Sequence, residues 1–148
     1  MNGRTEEVVK LSVGDIMTRD VVTLKEDEDL ALAEEMMQVG RIRHLPVVQN
    51  RQLVGLVTHR DLLRASFSAL AEIDRDEEQR IKRSIPVKKI MATNLITVTS
   101  ETPLLEAAQT MLKKKIGCLT VVDNGRLTGI ITESDFLRLF VQTLSKHP

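Results

Sequence analysis

The feature that most constrains this chain is a match of the sequence to itself at an offset of 74 residues. Ile16–Arg64 aligns without a gap on Ile90–Arg138 over 49 positions, with 17 identities. They include Met17/Met91, Thr23/Thr97, Leu30/Leu104, Ala33/Ala107, Met37/Met111, Ile42/Ile116, Leu45/Leu119, Asn50/Asn124, Gly55/Gly129, Thr58/Thr132 and Asp61/Asp135. A period of this length is too long for a solenoid, so two halves of one pseudo-symmetric domain are expected.

Each copy reads in the same order. A short β run comes first, Val21–Leu24 or Leu95–Val98. A helix follows, with apolar residues at helical spacing: Leu30, Ala33 and Met37, then Leu104, Ala107, Ala108 and Met111. Thr102 before Pro103 offers a capping oxygen and a residue pre-set for a first helical turn. Two apolar β runs joined by a turn come next. Asn124-Gly125 is a strong hairpin signal, and Asn50-Arg51 a weaker one. A second helix closes each copy from about Asp61 and Asp135.

The expected fold is therefore α/β (α+β), with β-α-β-β-α written twice. Near-continuous Val/Ile/Leu strands need helices to cover them. One copy of about 50 residues buries too little surface to be comfortable by itself. The expected division is an N-terminal segment 1–12, a first repeat 13–64, a helical connector 65–86, a second repeat 87–140 and a tail 141–148. The charged stretch Ala65–Ser84, with Leu70, Ile73 and Ile81, reads equally as a spacer or a dimer contact.

Charge narrows the partners. Twenty-one basic and 21 acidic residues give zero net charge, so no long-range field pulls toward nucleic acid or an anionic membrane. There is no Trp or Tyr, and only Phe67, Phe136 and Phe140 could stack on bases. The single Cys118 fits a reducing compartment. The polar start Met1–Lys10 lacks the apolar stretch of a signal peptide, and a cytoplasmic location is expected.

The chemistry concentrates in Gly-x-x-Thr-x-x-Asp at the end of the last strand of each copy: Gly55, Thr58, Asp61 and Gly129, Thr132, Asp135. Glycine permits close approach of a backbone or a ligand. A Thr hydroxyl and a helix start offer hydrogen bonds to an anion. A carboxylate three residues on can accept both hydroxyls of a ribose. The same residues also make a helix cap with an acidic first turn and no ligand at all. The two readings are compatible.

Other groups carry less. His44, His59 and His147 show no metal spacing, and Cys118 reads as a small core residue. Lys113-Lys114-Lys115 suits a helix C-terminus facing water. Met17, Met36, Met37, Met91 and Met111 fit core positions. No nucleophile elbow, P-loop or dinucleotide fingerprint is present, so catalysis is not expected.

Together the repeat order, the lead-ins Asp15-Ile16-Met17 and Lys89-Ile90-Met91, the segment Arg43-His44-Leu45-Pro46-Val47-Val48 and the twice-present Gly-x-x-Thr-x-x-Asp resemble a pair of CBS domains, the Bateman module. The resemblance covers about Val13–Arg64 and Val87–Arg138. It implies a pseudo-two-fold pair whose clefts take AMP, ADP, ATP (with or without Mg2+) or S-adenosylmethionine, with each Asp on ribose hydroxyls. It also implies a homodimer, and a separate effector protein to read the signal. Carried over by position, one cleft combines Thr132 and Asp135 with Met17, Val22, Ile42, Arg43 and His44. The other combines Thr58 and Asp61 with Met91, Ile96, Ile116, Gly117 and Cys118. Phosphate would meet Arg43 and His44 in one, and His59 or Arg60 in the other. Arg43 tips the balance toward the Asp135 cleft. The segment at Gly117-Cys118-Leu119-Thr120 departs from the family pattern, so the two clefts are not expected to be equivalent.

Overall fold

A computed structural model describes residues 3–66 and 73–146. The chain divides into two compact units. The continuous unit is Val22–Leu95 and carries the body of the first copy. The discontinuous unit joins Met1–Val21 to Ile96–Pro148 and carries the body of the second.

In the continuous unit β1 (Leu24–Lys25) is followed by α3 (Leu30–Gly40), β2 (His44–Gln49), β3 (Gln52–Thr58), α4 (His59–Ala65) and α5 (Arg75–Ser84). The discontinuous unit starts with α1 (Gly3–Val9) and α2 (Val13–Ile16), and continues with β4 (Thr97–Val98), α6 (Leu104–Lys114), β5 (Cys118–Asp123), β6 (Arg126–Thr132) and α7 (Glu133–Ser145). From α3 to β3 every boundary recurs 74 residues later in α6 to β6. The β-α-β-β-α order expected from the sequence is present in both copies.

Each sheet has three strands, in the order β1-β2-β3 and β4-β5-β6. The first pair in each is parallel and the second antiparallel. A parallel pair needs a crossover, which α3 and α6 supply. The hairpins turn on Asn50-Arg51 and Asn124-Gly125, all four residues having positive φ. That is the backbone of a two-residue type I′ turn, whose twist matches the strands.

Three local expectations are corrected. The first β runs shrink to two residues each, leaving Val22 and Ile96 outside the strands and 44% and 40% exposed. Thr102 does not cap α6: its hydroxyl accepts from the Thr99 N–H at 3.0 Å, tying the preceding turn, and Pro103 stands at the cap position. The closing helices begin at His59 and Glu133, two residues before the aspartates, because Thr58 and Thr132 are the caps.

Each core is completed by the lead-in of the other copy. In the continuous unit Val87 is fully buried with Leu24, Leu30, Met37, Leu45, Val47 and Val57. In the discontinuous unit Val13 takes the same place among Leu104, Met111, Leu119, Val121 and Ile131. The backbone follows suit. Val87 N–H donates to Glu28 C=O and Leu30 N–H to Ile85 C=O, while Val13 N–H donates to Thr102 C=O and Leu104 N–H to Leu11 C=O. Burying a valine is worth about 1.5–3 kcal/mol, so a body deprived of its lead-in loses a sizeable part of its stability.

Of the connector, residues 67–72, including Phe67 and Leu70, lie outside the described residues, as does His147. Its helix α5 is fastened to α3, since Lys82 Nζ bonds Glu34 and Glu78 carboxylates. Burial would lower the Lys82 pKa, but hydrogen bonds from its ammonium to the two carboxylates outweigh that and hold it above the ordinary lysine value.

Candidate ligand-binding site

In the continuous unit β3 ends at Thr58, which is extended, and α4 starts at His59. Gly55 faces the lead-in of the second copy. A side chain there would overlap Met91 and come within 3.2 Å of the Ala92 carbonyl oxygen. The close approach that this glycine permits is therefore made by protein backbone and Met91. Thr58 N–H donates to Asp61 Oδ2 at 2.8 Å, and Asp61 N–H donates back to Thr58 Oγ1 at 3.2 Å. This is a reciprocal cap. Asp61 is only partly buried, and its Oδ1 accepts no hydrogen bond among the described residues.

The discontinuous unit repeats the backbone and changes the partners. Gly129 faces Met17 and the Thr18 carbonyl in the same way. Thr132 N–H donates to Asp135 Oδ2 at 2.8 Å, with its hydroxyl at 3.5 Å from the same oxygen. Oδ1 is also taken: the Thr18 hydroxyl and the Arg138 guanidinium each donate to it at 3.0 Å. The Asp135 side chain is 2% exposed, while that of Arg138 is 61% exposed. Both motifs thus act as caps, and only one retains an open carboxylate oxygen.

The remaining residues divide between the units. Val22, Ile42, Arg43, His44, His59, Arg60 and Met91 belong with Thr58 and Asp61. Met17, Ile96, Ile116, Gly117 and Cys118 belong with Thr132 and Asp135. His44 pairs with Thr58 across β2 and β3, and His59 N–H donates to the Arg43 carbonyl at 2.8 Å. Arg43 and His59, assigned to different clefts by the resemblance, thus share one rim. With Arg41, Ile42, Met37 and Leu62 they line a groove of about 490 Å³. Arg60 is exposed.

At the matching place in the discontinuous unit the cations give way to Gly117 and Glu133, whose backbones bond to each other. Cys118, aligned with His44, is buried, and its thiol is pushed up to about 12 by burial and then by the Glu133 carboxylate. Such a thiol is protonated at neutral pH and a poor nucleophile. Among the described residues no three His, Cys, Asp or Glu side chains cluster as a metal site, and no helix is long and apolar enough to cross a membrane.

Sequence reasoning missed Thr18 and Arg138. One signal was available. Position 18 is a mismatch within the repeat, Thr18 against Ala92, whereas Arg138 matches Arg64. Also missed was a polar cluster at Asp123, which accepts from Thr128 and Ser100 and is held below the usual carboxylate range by those bonds.

Comparison with known proteins gives a consistent result. The CBS domain model matches twice, at residues 13–68 and 87–142. A CBS domain-containing protein of Dictyostelium discoideum is 33% identical over 95% of this chain and 98% of its own length. A homoserine O-acetyltransferase of Methanohalobium evestigatum is 36% identical, but the match spans only 24% of it. Among solved structures, a proposed acetoin utilization protein (AcuB) of Vibrio cholerae is 37% identical with a TM-score of 0.77, over 91% of this chain and 93% of that one. The CBS domain pair of protein MJ0100, solved with 5′-methylthioadenosine and S-adenosyl-L-methionine, is 30% identical with a TM-score of 0.72, over 88% and 96%. CBSX2, solved with AMP, is 29% identical with a TM-score of 0.74, over 89% and 97%. With both repeats matched and their β-α-β-β-α order present in the structure, this chain belongs to the CBS-domain family and carries the domain as a tandem pair.

Proposed function

We propose that this chain is a regulatory module that binds an adenine nucleotide of the AMP, ADP or ATP type and passes the binding event to a separate effector protein. The observation that carries the reading is Asp61. It sits at a strand-to-helix junction with Oδ2 committed to the cap and Oδ1 open. A ribose hydroxyl can donate to that oxygen without displacing any protein bond. Arg43, His59 and Arg60 lie on the same unit and offer cations for phosphate. Two similar pairs hold AMP, or S-adenosylmethionine with methylthioadenosine, which supports an adenosyl ligand. The cation set favours the phosphorylated members over S-adenosylmethionine, and Mg2+ would enter only with the nucleotide. The module acts in the cytoplasm as a homodimer, its signal being a shift between two arrangements that bind ligand unequally.

A second reading, an assembly module with no ligand, is favoured by α7. Leu137, Phe140, Val141 and Leu144 recur at helical spacing there, and all are more than half exposed.

Thermal unfolding against AMP, ADP, ATP, S-adenosylmethionine, NAD and GTP separates the two. A ligand at a hundred times its Kd stabilises the native state by about 2.7 kcal/mol. The sensor reading expects a rise in Tm with an adenine nucleotide that Asp61→Ala removes. Melting that ignores all six compounds, in a protein that is a stable dimer, leaves the assembly module.

A further inference from the structure

We infer that the two motifs are not two sites: Asp135 is closed by a latch formed by Thr18 and Arg138, and the chain takes one adenosyl ligand, anchored at Asp61. This rests on the proposed function and fixes its stoichiometry and which carboxylate serves.

The comparison is controlled by the repeat itself. Thr18 and Ala92 hold the same backbone position, each exchanging both of its main-chain hydrogen bonds with the last strand, Thr18 with Ile130 and Ala92 with Leu56, at 2.9–3.0 Å. With the backbone equal, the difference is one hydroxyl. On Thr18 it reaches 3.0 Å from Asp135 Oδ1. Ala92 has none to offer Asp61. Arg138 then adds a charged donor at 3.0 Å to the same oxygen, whereas the side chain of its counterpart Arg64 makes no hydrogen bond or ion pair among the described residues.

A ribose diol presents two hydroxyl donors to a carboxylate. In the discontinuous unit a hydroxyl and a guanidinium already fill those places, so a ribose gains only what it displaces. In the continuous unit it meets an oxygen with no donor among the described residues. A hydrogen bond to a charged group is worth about tenfold in affinity or more, and the latch consists of two.

The test exchanges the two states. Calorimetric titration with AMP, and separately with S-adenosylmethionine, is run on the wild type and on Asp61→Asn, Asp135→Asn, Ala92→Thr and the double variant Thr18→Ala/Arg138→Ala. One ligand per chain is expected in the wild type. Asp61→Asn, which keeps an oxygen for the Thr58 N–H, weakens it at least tenfold, and Asp135→Asn leaves it unchanged. Ala92→Thr transplants the latch hydroxyl and weakens binding about tenfold, while the double variant binds a second ligand. If Asp135→Asn fails to fold, the exchange variants decide. Two ligands per wild-type chain, loss through Asp135→Asn with Asp61→Asn intact, or an unchanged affinity in Ala92→Thr overturns the latch and leaves the nucleotide module standing. No heat from either compound, nor from ADP or ATP titrated in the same way, with folded wild type overturns the proposed function, and the latch with it.

Discussion

In the continuous unit Asp61 keeps one oxygen free of hydrogen bonds among the described residues, whereas in the discontinuous unit Asp135 has both oxygens committed. The two motifs stand at the same strand-to-helix junction in each copy, with the capping N–H at 2.8 Å in both. What separates the two carboxylates is a pair of donors to Asp135, Arg138 in its own helix and Thr18 over a hundred positions away in sequence. The repeat therefore shows fold and local chemistry varying independently: the architecture is copied, while the donors around the two aspartates differ.

The largest expected effect tests the shared part. Leu45 and Leu119 align at the 74-residue offset, and both are completely buried in their unit's core. Leu45→Ala and Leu119→Ala should each cost about 2–5 kcal/mol, with similar values, because both lose the same group from aligned, fully buried positions. Urea unfolding of the two variants measures this. A difference above about 2 kcal/mol would break the equivalence of the two cores.

Next come the aspartates, where the units should diverge. Asp61→Ala removes a cap, a loss of about 1 kcal/mol. Asp135→Ala removes the cap and also the buried carboxylate oxygen that accepts from the Thr18 hydroxyl and the Arg138 guanidinium. Its cost should reach about 2–3 kcal/mol. Comparable losses in the two variants would mean that the Thr18 and Arg138 bonds add nothing to the cap.

These contrasts also mark what the sequence could reveal. The element order, the cores and the capping threonines were legible, because the offset of 74 doubles every local signal and apolar spacing is a local property. The exchange of lead-ins was not: pairing Val13 with Thr102, or Val87 with Glu28, is set by where distant backbone finds free partners, and no window of sequence contains both. The first strands came out too long because Val22 and Ile96 look like strand residues, yet only two positions in each copy find a neighbour to pair with. Of the candidate site, the Gly-x-x-Thr-x-x-Asp residues were found. The latch was hidden, since the mismatch Thr18/Ala92 gains meaning only once both are seen to lie against the aspartates' strands.

A smaller effect should come from position 120. The Thr120 hydroxyl is buried without a hydrogen-bond partner among the described residues, and its counterpart Pro46 carries no such group. Leaving a hydroxyl unsatisfied costs about 1 kcal/mol or more. Thr120→Val keeps the shape and the β-branching, so it should raise the midpoint of urea unfolding by an amount equivalent to about 1 kcal/mol. A loss of stability would show that the hydroxyl has a partner in solution, such as bound water.

The smallest expected change lies in the hairpins. Both loops place their second residue at positive φ, 66° at Arg51 and 78° at Gly125. Glycine adopts that region freely, whereas a residue with a Cβ is strained there. The first copy thus carries a backbone cost that the second avoids. Arg51→Gly should recover it, less the greater freedom glycine gives the unfolded chain, for a net gain of about 0.5 kcal/mol. The reverse change, Gly125→Arg, should cost a similar amount, since nothing lies within 4 Å of a Cβ built there and strain is the only penalty. Paired denaturation curves for the two variants should move in opposite directions by similar amounts. Movement in the same direction would mean that the loops, like the two aspartates, are held differently in the two units.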